Sequence, residues 1–155
     1  MAETYDSTAE TLRHIAGVQA RLDVVVAELL RRGRVHDASK FSPDEKPAFD
    51  AALAGVRGLA YGSPAYNAVV AQVQPTLDLH CTRNSHHPQF YGAAGIAGMD
   101  LFDLVEMLCD WMAAAQRNPA DGVRLDINVA AFGIAPQLAA ILANTLARWP
   151  GPEGL

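Results

Sequence analysis

The residues best suited to chemistry lie in a short polar segment at positions 35–40, which reads VHDASK. Its adjacent His36 and Asp37 offer one metal ion a neutral imidazole and a hard carboxylate. On a helical turn Lys40 shares a face with both, and it places a cation where a phosphate bridged to the metal needs one. A His-Asp pair is common by chance, however. The segment by itself also fits a helix N-terminus that Asp37 or Ser39 caps, with His36 exposed.

A second group of candidate residues lies near the middle of the chain. His80 and Asn84 are four residues apart, so a helix would present them on one face. His86 and His87 follow, and the proline after them disfavours helical geometry, so we expect both on a loop. Three of the five histidines thus fall within eight residues, and they are either ligands or solvated surface histidines.

A third group is a row of acids at Asp103, Glu106 and Asp110. Their spacing of three and four residues predicts one helical face. Like charges at that spacing repel, so either the face is solvated or a cation lies against it. An apolar seam is predicted beside the acids, formed by Met99, Phe102, Val105, Cys109 and Met112.

Composition limits the classes of protein that can carry these groups. The chain has 155 residues, of which 50% are hydrophobic and 19% charged, so we expect a single folded domain over residues 1–149. Residues 150–155 are predicted to form a mobile tail. The net charge of -5, with one basic cluster at positions 31–34, disfavours binding to a nucleic-acid backbone. Two cysteines without a zinc pattern, and a start unlike a signal peptide, predict free thiols and a cytoplasmic location.

Capping signals mark where the first helices begin. Ser7 and Glu10 form a capping box, and an apolar stripe then runs to about Arg32, where Gly33 is expected to end the helix. The segment at 42–45, which reads SPDE, has the form of a second capping box with proline in its preferred first position.

Proline positions define the later helices. Ser63 and Pro64 predict another helix start, and Pro75 predicts a kink or restart. A charge-free stretch at 127–147 contains asparagine, glycine and proline, so we expect buried core helices there and no membrane span. The last helix is predicted to begin at Pro136, with inward positions at Leu138, Ile141, Leu142 and Leu146. Without alternating strand patterns, the fold class is all-α, with about five to seven helices.

The order of these groups resembles the HD superfamily of metal-dependent phosphohydrolases, in which a helical bundle brings a first histidine, a His-Asp pair and a distant aspartate around one metal. The lysine three residues after Asp37 is similar to the variant found among two-metal members. Nearly the whole chain is similar to a family of short, poorly characterised bacterial and phage HD-like proteins. The segments that carry this similarity are RHI at 13–15, HDASK at 36–40, YGS at 61–63, His80 with NSHHP at 84–88, EMLCDW at 106–111 and NT at 144–145.

The resemblance implies an HD-like helical bundle with one or two divalent ions, of Mn, Co, Fe, Ni, Zn or Mg. It implies catalytic roles for Lys40, Glu106 and His87, with Glu106 orienting a ligand histidine. The substrate would contact Lys40, Asn84 and Arg83. The implied metal ligands are His14, His36, Asp37, His80, His86 and Asp110.

We therefore expect a phosphohydrolase that acts on a nucleotide or another small phosphate ester through a metal-activated water. The expected partner is that small phosphorylated substrate, with neither a nucleic acid nor a membrane, and a homodimer is compatible with the sequence. Two alternatives stay open. One is an HD-like module that binds a metal and a nucleotide without turnover, and the other is a structural helical bundle.

Overall fold

A computed structural model describes residues 5–59, 63–116 and 122–149. Within these ranges all regular elements are helical and no strand occurs, so the all-α prediction is confirmed. These ranges contain seven α-helices and two 3₁₀ segments, more than the predicted five to seven helices, because the short 3₁₀ turns add elements. The predicted tail at 150–155 lies outside the described residues. The elements are α1 (Thr8–Val35), the first 3₁₀ segment (Ala38–Phe41), α2 (Lys46–Val56), α3 (Pro64–Gln72), α4 (Gln74–Arg83), the second 3₁₀ segment (Pro88–Gly98), α5 (Leu101–Ala115), α6 (Leu125–Phe132) and α7 (Pro136–Ala147).

The chain divides into two units, Met1–His36 and Asp37–Leu155. The first unit contains α1, and the second contains every later element. The expectation of a single domain over residues 1–149 stays a prediction.

Helix α1 begins where the sequence predicts, with Ser7 at the N-cap position, but the side chain of a different residue makes hydrogen bonds to its first turn. The Asp6 carboxylate accepts hydrogen bonds from the Thr8 backbone N–H at 3.0 Å and from its hydroxyl at 2.6 Å, whereas the Ser7 side chain makes no capping bond. The helix continues through Gly33 to Val35, so the predicted end was wrong. A glycine inside a helix costs only about 1 kcal/mol, which the flanking turns can offset.

The segment between α1 and α2 is shaped by Asp37, whose φ of 56° places it in the left-handed region. Aspartate tolerates this region better than most residues, and the first 3₁₀ segment follows directly. Helix α2 starts at Lys46 rather than at Pro43, so the second predicted capping box was wrong. Its acid, Glu45, turns inward and is fully buried, because it has partners there that a helix cap would not provide.

The break between α3 and α4 follows the predicted proline rules. The Ser63 side chain accepts a hydrogen bond from the Tyr66 N–H at 3.2 Å, which confirms it as the cap of α3. Pro75 lies in the first turn of α4, which confirms the predicted restart. Helix α4 then carries His80 in its last turn and ends at Arg83.

The apolar core of the second unit lies where α5 meets the segments around Ile134 and Leu142. Helix α5 buries Asp103, Met107 and Leu108. The predicted seam was wrong at Val105 and Cys109, which are exposed, whereas Met112 packs against the core. The buried face is rotated from that seam because Asp103 has buried hydrogen-bond partners of its own.

The charge-free stretch folds as two short helices rather than one long one. Gly133, with a φ of 60°, separates α6 from α7. In α7 Leu142 is buried as predicted, but Ile141 is exposed, which corrects its predicted inward position. Among the residues with described structure, no helix is long and apolar enough to cross a membrane.

Candidate metal centre

Four side chains of the second unit converge on one point. Asp37, His80, His86 and His87 each offer a ligand atom, and these atoms lie within 4.8 Å of one another. Asp37 precedes the first 3₁₀ segment, and His80 lies in the last turn of α4. His86 and His87 occupy the loop that follows, as predicted. His80 and His86 are each only 2% exposed, so the alternative of solvated surface histidines was wrong for this pair.

The distances within this cluster are those between ligands of one metal ion. Nε2 of His80 lies 3.0 Å from Asp37 Oδ1, and Nε2 of His86 lies 3.4 Å from the same oxygen. Bonds of about 2.1 Å to a common ion separate neighbouring ligand atoms by about this much. The 3.0 Å contact of His80 lacks the alignment of a hydrogen bond.

The nitrogen atoms that face the cluster are available for coordination. Nε2 of His80 and Nε2 of His87 are buried and make no hydrogen bond within the described ranges. Buried polar atoms normally have a partner, so these two suit a ligand such as a metal ion. Burial, and next the neighbouring His86 and His80, lowers the pKa of His87 to about 4. His87 is therefore neutral near pH 7, as a metal ligand must be.

Asp37 is held as a carboxylate by the groups around it. Burial acts to raise its pKa, but the polar groups that contact the carboxylate, the Lys40 ammonium among them, outweigh burial and hold the pKa far below its usual range. The Lys40 ammonium lies 2.5 Å from Asp37 Oδ2, while His80 and His86 contact Oδ1. Lys40 also lies 5.1 Å from the centre of the Phe49 ring, so two contacts fix its position.

Each of the two most buried histidines has a glutamate at its Nδ1 atom. Glu45 Oε2 lies 2.9 Å from His80 Nδ1, and Glu106 Oε1 lies 3.2 Å from His86 Nδ1. Glu106 therefore contacts a candidate ligand histidine, and its predicted role in orienting that ring stays a prediction. Asp110, on the same helix as Glu106, offers an oxygen within 4.8 Å of a ring nitrogen of His86.

Arg83 and Asn84, which were predicted to contact the substrate, bond to residues that surround His80. The Asn84 amide donates to the Ser39 hydroxyl at 2.9 Å and to the His80 carbonyl at 2.8 Å. The Arg83 guanidinium donates to Asp44 at 3.0 Å and to Glu45 at 3.3 Å. Both side chains support His80 or its partners in this arrangement, and their contact with a substrate stays a prediction.

The predicted row of acids separates into two roles. Asp103 is buried and accepts hydrogen bonds from the Tyr91 hydroxyl at 2.5 Å, the Ser85 hydroxyl at 2.7 Å and the Asp100 N–H at 3.0 Å. Burial, and next the bond to Asp103, raises the pKa of Tyr91 to about 12, so Tyr91 stays a donor. Asp103 therefore stabilises the start of α5, while Glu106 and Asp110 lie beside His86.

His14 and His36, which the resemblance implies as ligands, belong to the first unit. His14 lies on the exposed surface of α1, and His36 is the C-cap of that helix. Their part in a metal site stays a prediction.

Sequence reasoning missed two polar side chains of this region, Glu45 and Ser39. The Ser39 hydroxyl donates to Glu45 Oε2 at 2.9 Å and lies 3.0 Å from His80 Nδ1. The proximity of Ser39 to the His-Asp pair was a usable signal. For Glu45 the local pattern indicated a helix cap, and nothing in that pattern pointed to His80, 35 residues away.

Comparison with known proteins gives one match. No curated protein and no solved structure matches this chain. The resemblance to the HD superfamily therefore stays a prediction. The model of a family of unknown function, DUF5662, matches residues 3–148, which is nearly the entire sequence. The chain belongs to this family of unknown function.

Proposed function

We propose that this protein is a divalent-metal-dependent phosphohydrolase whose metal is bound by Asp37, His80, His86 and His87. The observation that carries the proposal is the convergence of imidazole nitrogens on a single carboxylate oxygen, at 3.0 and 3.4 Å for the two most buried rings. Asp110, which lies in the same unit, is a further candidate ligand, and the roles predicted for His14 and His36 stay predictions.

The packing of the three rings supports a metal over a cluster of protonated histidines. Ring centres lie 4.1 Å apart for His86 and His87, 5.1 Å for His80 and His87, and 6.3 Å for His80 and His86. Several imidazolium ions at these distances repel one another, whereas neutral rings around one cation do not. Three imidazoles and one carboxylate favour Mn, Fe, Co, Ni or Zn over Mg, which prefers oxygen ligands.

Each residue around the proposed metal site has a distinct role in the proposed hydrolysis. A divalent ion bound here would polarise a phosphate oxygen and lower the pKa of a water molecule. Asp37 contributes the negative charge that holds the ion, and Glu106 holds the His86 ring in place. Lys40 is about one-third exposed, so its ammonium can reach a substrate while it contacts Asp37. The Lys40 ammonium and the resemblance to the HD superfamily both favour a phosphate ester as the substrate class.

Metal analysis combined with a phosphate-release assay tests the proposal. We expect the purified protein to bind about one Mn, Co, Fe, Ni or Zn ion per chain, and His80→Ala to reduce that occupancy strongly. A panel of nucleotides and other small phosphate esters, each tested with Mn, Co, Ni and Mg, should yield phosphate release that His80→Ala abolishes. Equal metal content in wild type and variant would contradict the metal site. Metal binding without phosphate release from any substrate would favour the binding module.

Removal of the metal is expected to lower stability, because the ion binds the folded cluster and not the dispersed residues of the unfolded chain. Free metal at 100 times its dissociation constant adds about 2.7 kcal/mol to the free energy of unfolding. For a chain of this length, that corresponds to a change in melting temperature of about 5–10 °C.

Calorimetry with and without a chelator measures this difference. The His80→Ala variant is the control, since its melting temperature should respond much less to the chelator. If wild type melts at the same temperature after confirmed metal loss, the cluster does not couple metal binding to folding.

A further inference from the structure

Glu45 is a carboxylate with no exposed surface, and it lies directly behind His80. Its Oε2 atom lies 2.9 Å from His80 Nδ1 and accepts a bond of 2.9 Å from the Ser39 hydroxyl. Its Oε1 atom accepts from the Arg83 guanidinium at 3.3 Å. Burying a carboxylate costs free energy unless it is paired and hydrogen-bonded. The contacts with His80, Ser39 and Arg83 offset this cost for Glu45.

The hydrogen-bond donors around His80 fix the position of its proton. An ionised carboxylate can only accept, and Ser39 has one hydroxyl proton, which it donates to Glu45. The Asn84 amide also lies 3.1 Å from His80 Nδ1, but it donates its two protons to the Ser39 oxygen at 2.9 Å and to the His80 carbonyl at 2.8 Å. The remaining contact with Glu45 Oε2 is therefore a donation from Nδ1–H of His80. In a neutral ring this leaves Nε2 without a proton.

The bare nitrogen faces Asp37 Oδ1 at 3.0 Å. Two lone pairs at that distance repel each other, and a cation between the two atoms converts the repulsion into two attractive contacts. A carboxylate behind a histidine thus selects the tautomer that binds a metal and makes the ring a stronger ligand.

We propose that Glu45 is a positioning residue for the metal, which holds His80 with its proton on Nδ1 and so presents Nε2 to the ion. The inference rests on the proposed metal site. It assigns a role to Glu45, which the local sequence indicated only as part of a helix cap. Ser39 then supports the Glu45 carboxylate, and Asn84 supports Ser39 and His80.

Co²⁺ binding to wild type, Glu45→Gln and Asp44→Asn tests the proposal, with the visible absorption of the bound ion as a second readout. Glu45→Gln keeps the size of the side chain but removes its charge, and we expect Co²⁺ affinity to fall about 10- to 100-fold with a changed spectrum. Asp44→Asn is the matched control. Asp44 pairs with the same guanidinium at 3.0 Å, but its carboxylate is exposed, so we expect wild-type affinity and spectrum.

The outcomes separate the two proposals. Wild-type affinity and spectrum in Glu45→Gln would overturn the role of Glu45 and leave the metal site intact. An equal loss in Asp44→Asn would also overturn it, since the effect would then come through Arg83. Failure of the wild-type protein to bind Co²⁺ would overturn the metal site and the role of Glu45 together.

A measurement on the wild-type protein decides the matter if Glu45→Gln does not fold. Long-range ¹H–¹⁵N NMR of the wild-type protein with bound Zn²⁺, which is diamagnetic, reports which imidazole nitrogen carries the proton. We expect His80 to be protonated at Nδ1 and to carry no proton on Nε2. A proton on Nε2, with none on Nδ1, would overturn the proposal.

Discussion

Asp37→Asn is expected to abolish metal binding and hydrolysis together. One Asp37 oxygen lies within 3.4 Å of both His80 Nε2 and His86 Nε2, so its charge is central to the cluster. Asparagine has nearly the same size and also tolerates the left-handed backbone that Asp37 adopts at a φ of 56°. The substitution therefore removes the charge with little change to the backbone. We expect a loss of metal affinity greater than the roughly 100-fold effect of losing an outer partner.

Asp103→Asn is the matched control, since it makes the same chemical change at another buried acid of the second unit. It leaves the Tyr91 and Ser85 hydroxyls with a poorer acceptor. We expect a loss of about 1–3 kcal/mol in the free energy of unfolding, and no change in metal affinity. Calorimetric titration with Mn²⁺ and chemical denaturation measure the two quantities. Retained metal binding in Asp37→Asn, or equal metal loss in both variants, would contradict the proposed centre.

The features that the sequence predicted correctly depend on local rules. The start of α1 at Thr8, the cap at Ser63 and the break at Pro75 each follow from the chemistry of a few adjacent residues. The predicted helical face shared by His80 and Asn84 was wrong, because Asn84 is the extended C-cap of α4, although its amide donates to the His80 carbonyl.

The features that it missed depend on contacts between distant segments. The segment SPDE at 42–45 satisfies the capping-box pattern, but Glu45 gains more from His80, Ser39 and Arg83 than from a helix end. Asp103 and Asp110 occupy one helix and looked alike in sequence. Only the packing of Ser85 and Tyr91 against Asp103 distinguishes the structural acid from the one beside His86.

Lys40→Met is expected to leave the fold intact but to reduce kcat/KM at saturating metal. Methionine keeps an unbranched side chain against Phe49, above which the ammonium now lies at 5.1 Å, while it removes the charge. If the ammonium stabilises the phosphate in the transition state, its loss should raise the activation free energy by about 3 kcal/mol, a rate loss of about 100-fold. Lys40→Arg, which keeps a positive charge, should lose much less. Kinetics on the best substrate of the phosphate-ester panel measures both variants.

Because Lys40 contacts Asp37 Oδ2, it could act by anchoring that carboxylate rather than by binding phosphate. Kinetics at different metal concentrations distinguish these two roles. A lysine that only anchors the carboxylate would lower metal affinity when replaced, and excess metal would restore turnover. A lysine that binds phosphate would leave a rate loss that excess metal cannot restore. A solvated ion pair at the surface contributes about 1 kcal/mol or less, so wild-type kcat and KM in Lys40→Met would remove Lys40 from the site. We expect the loss that persists at saturating metal, because one-third of the Lys40 side chain stays open to a substrate while its ammonium contacts Asp37.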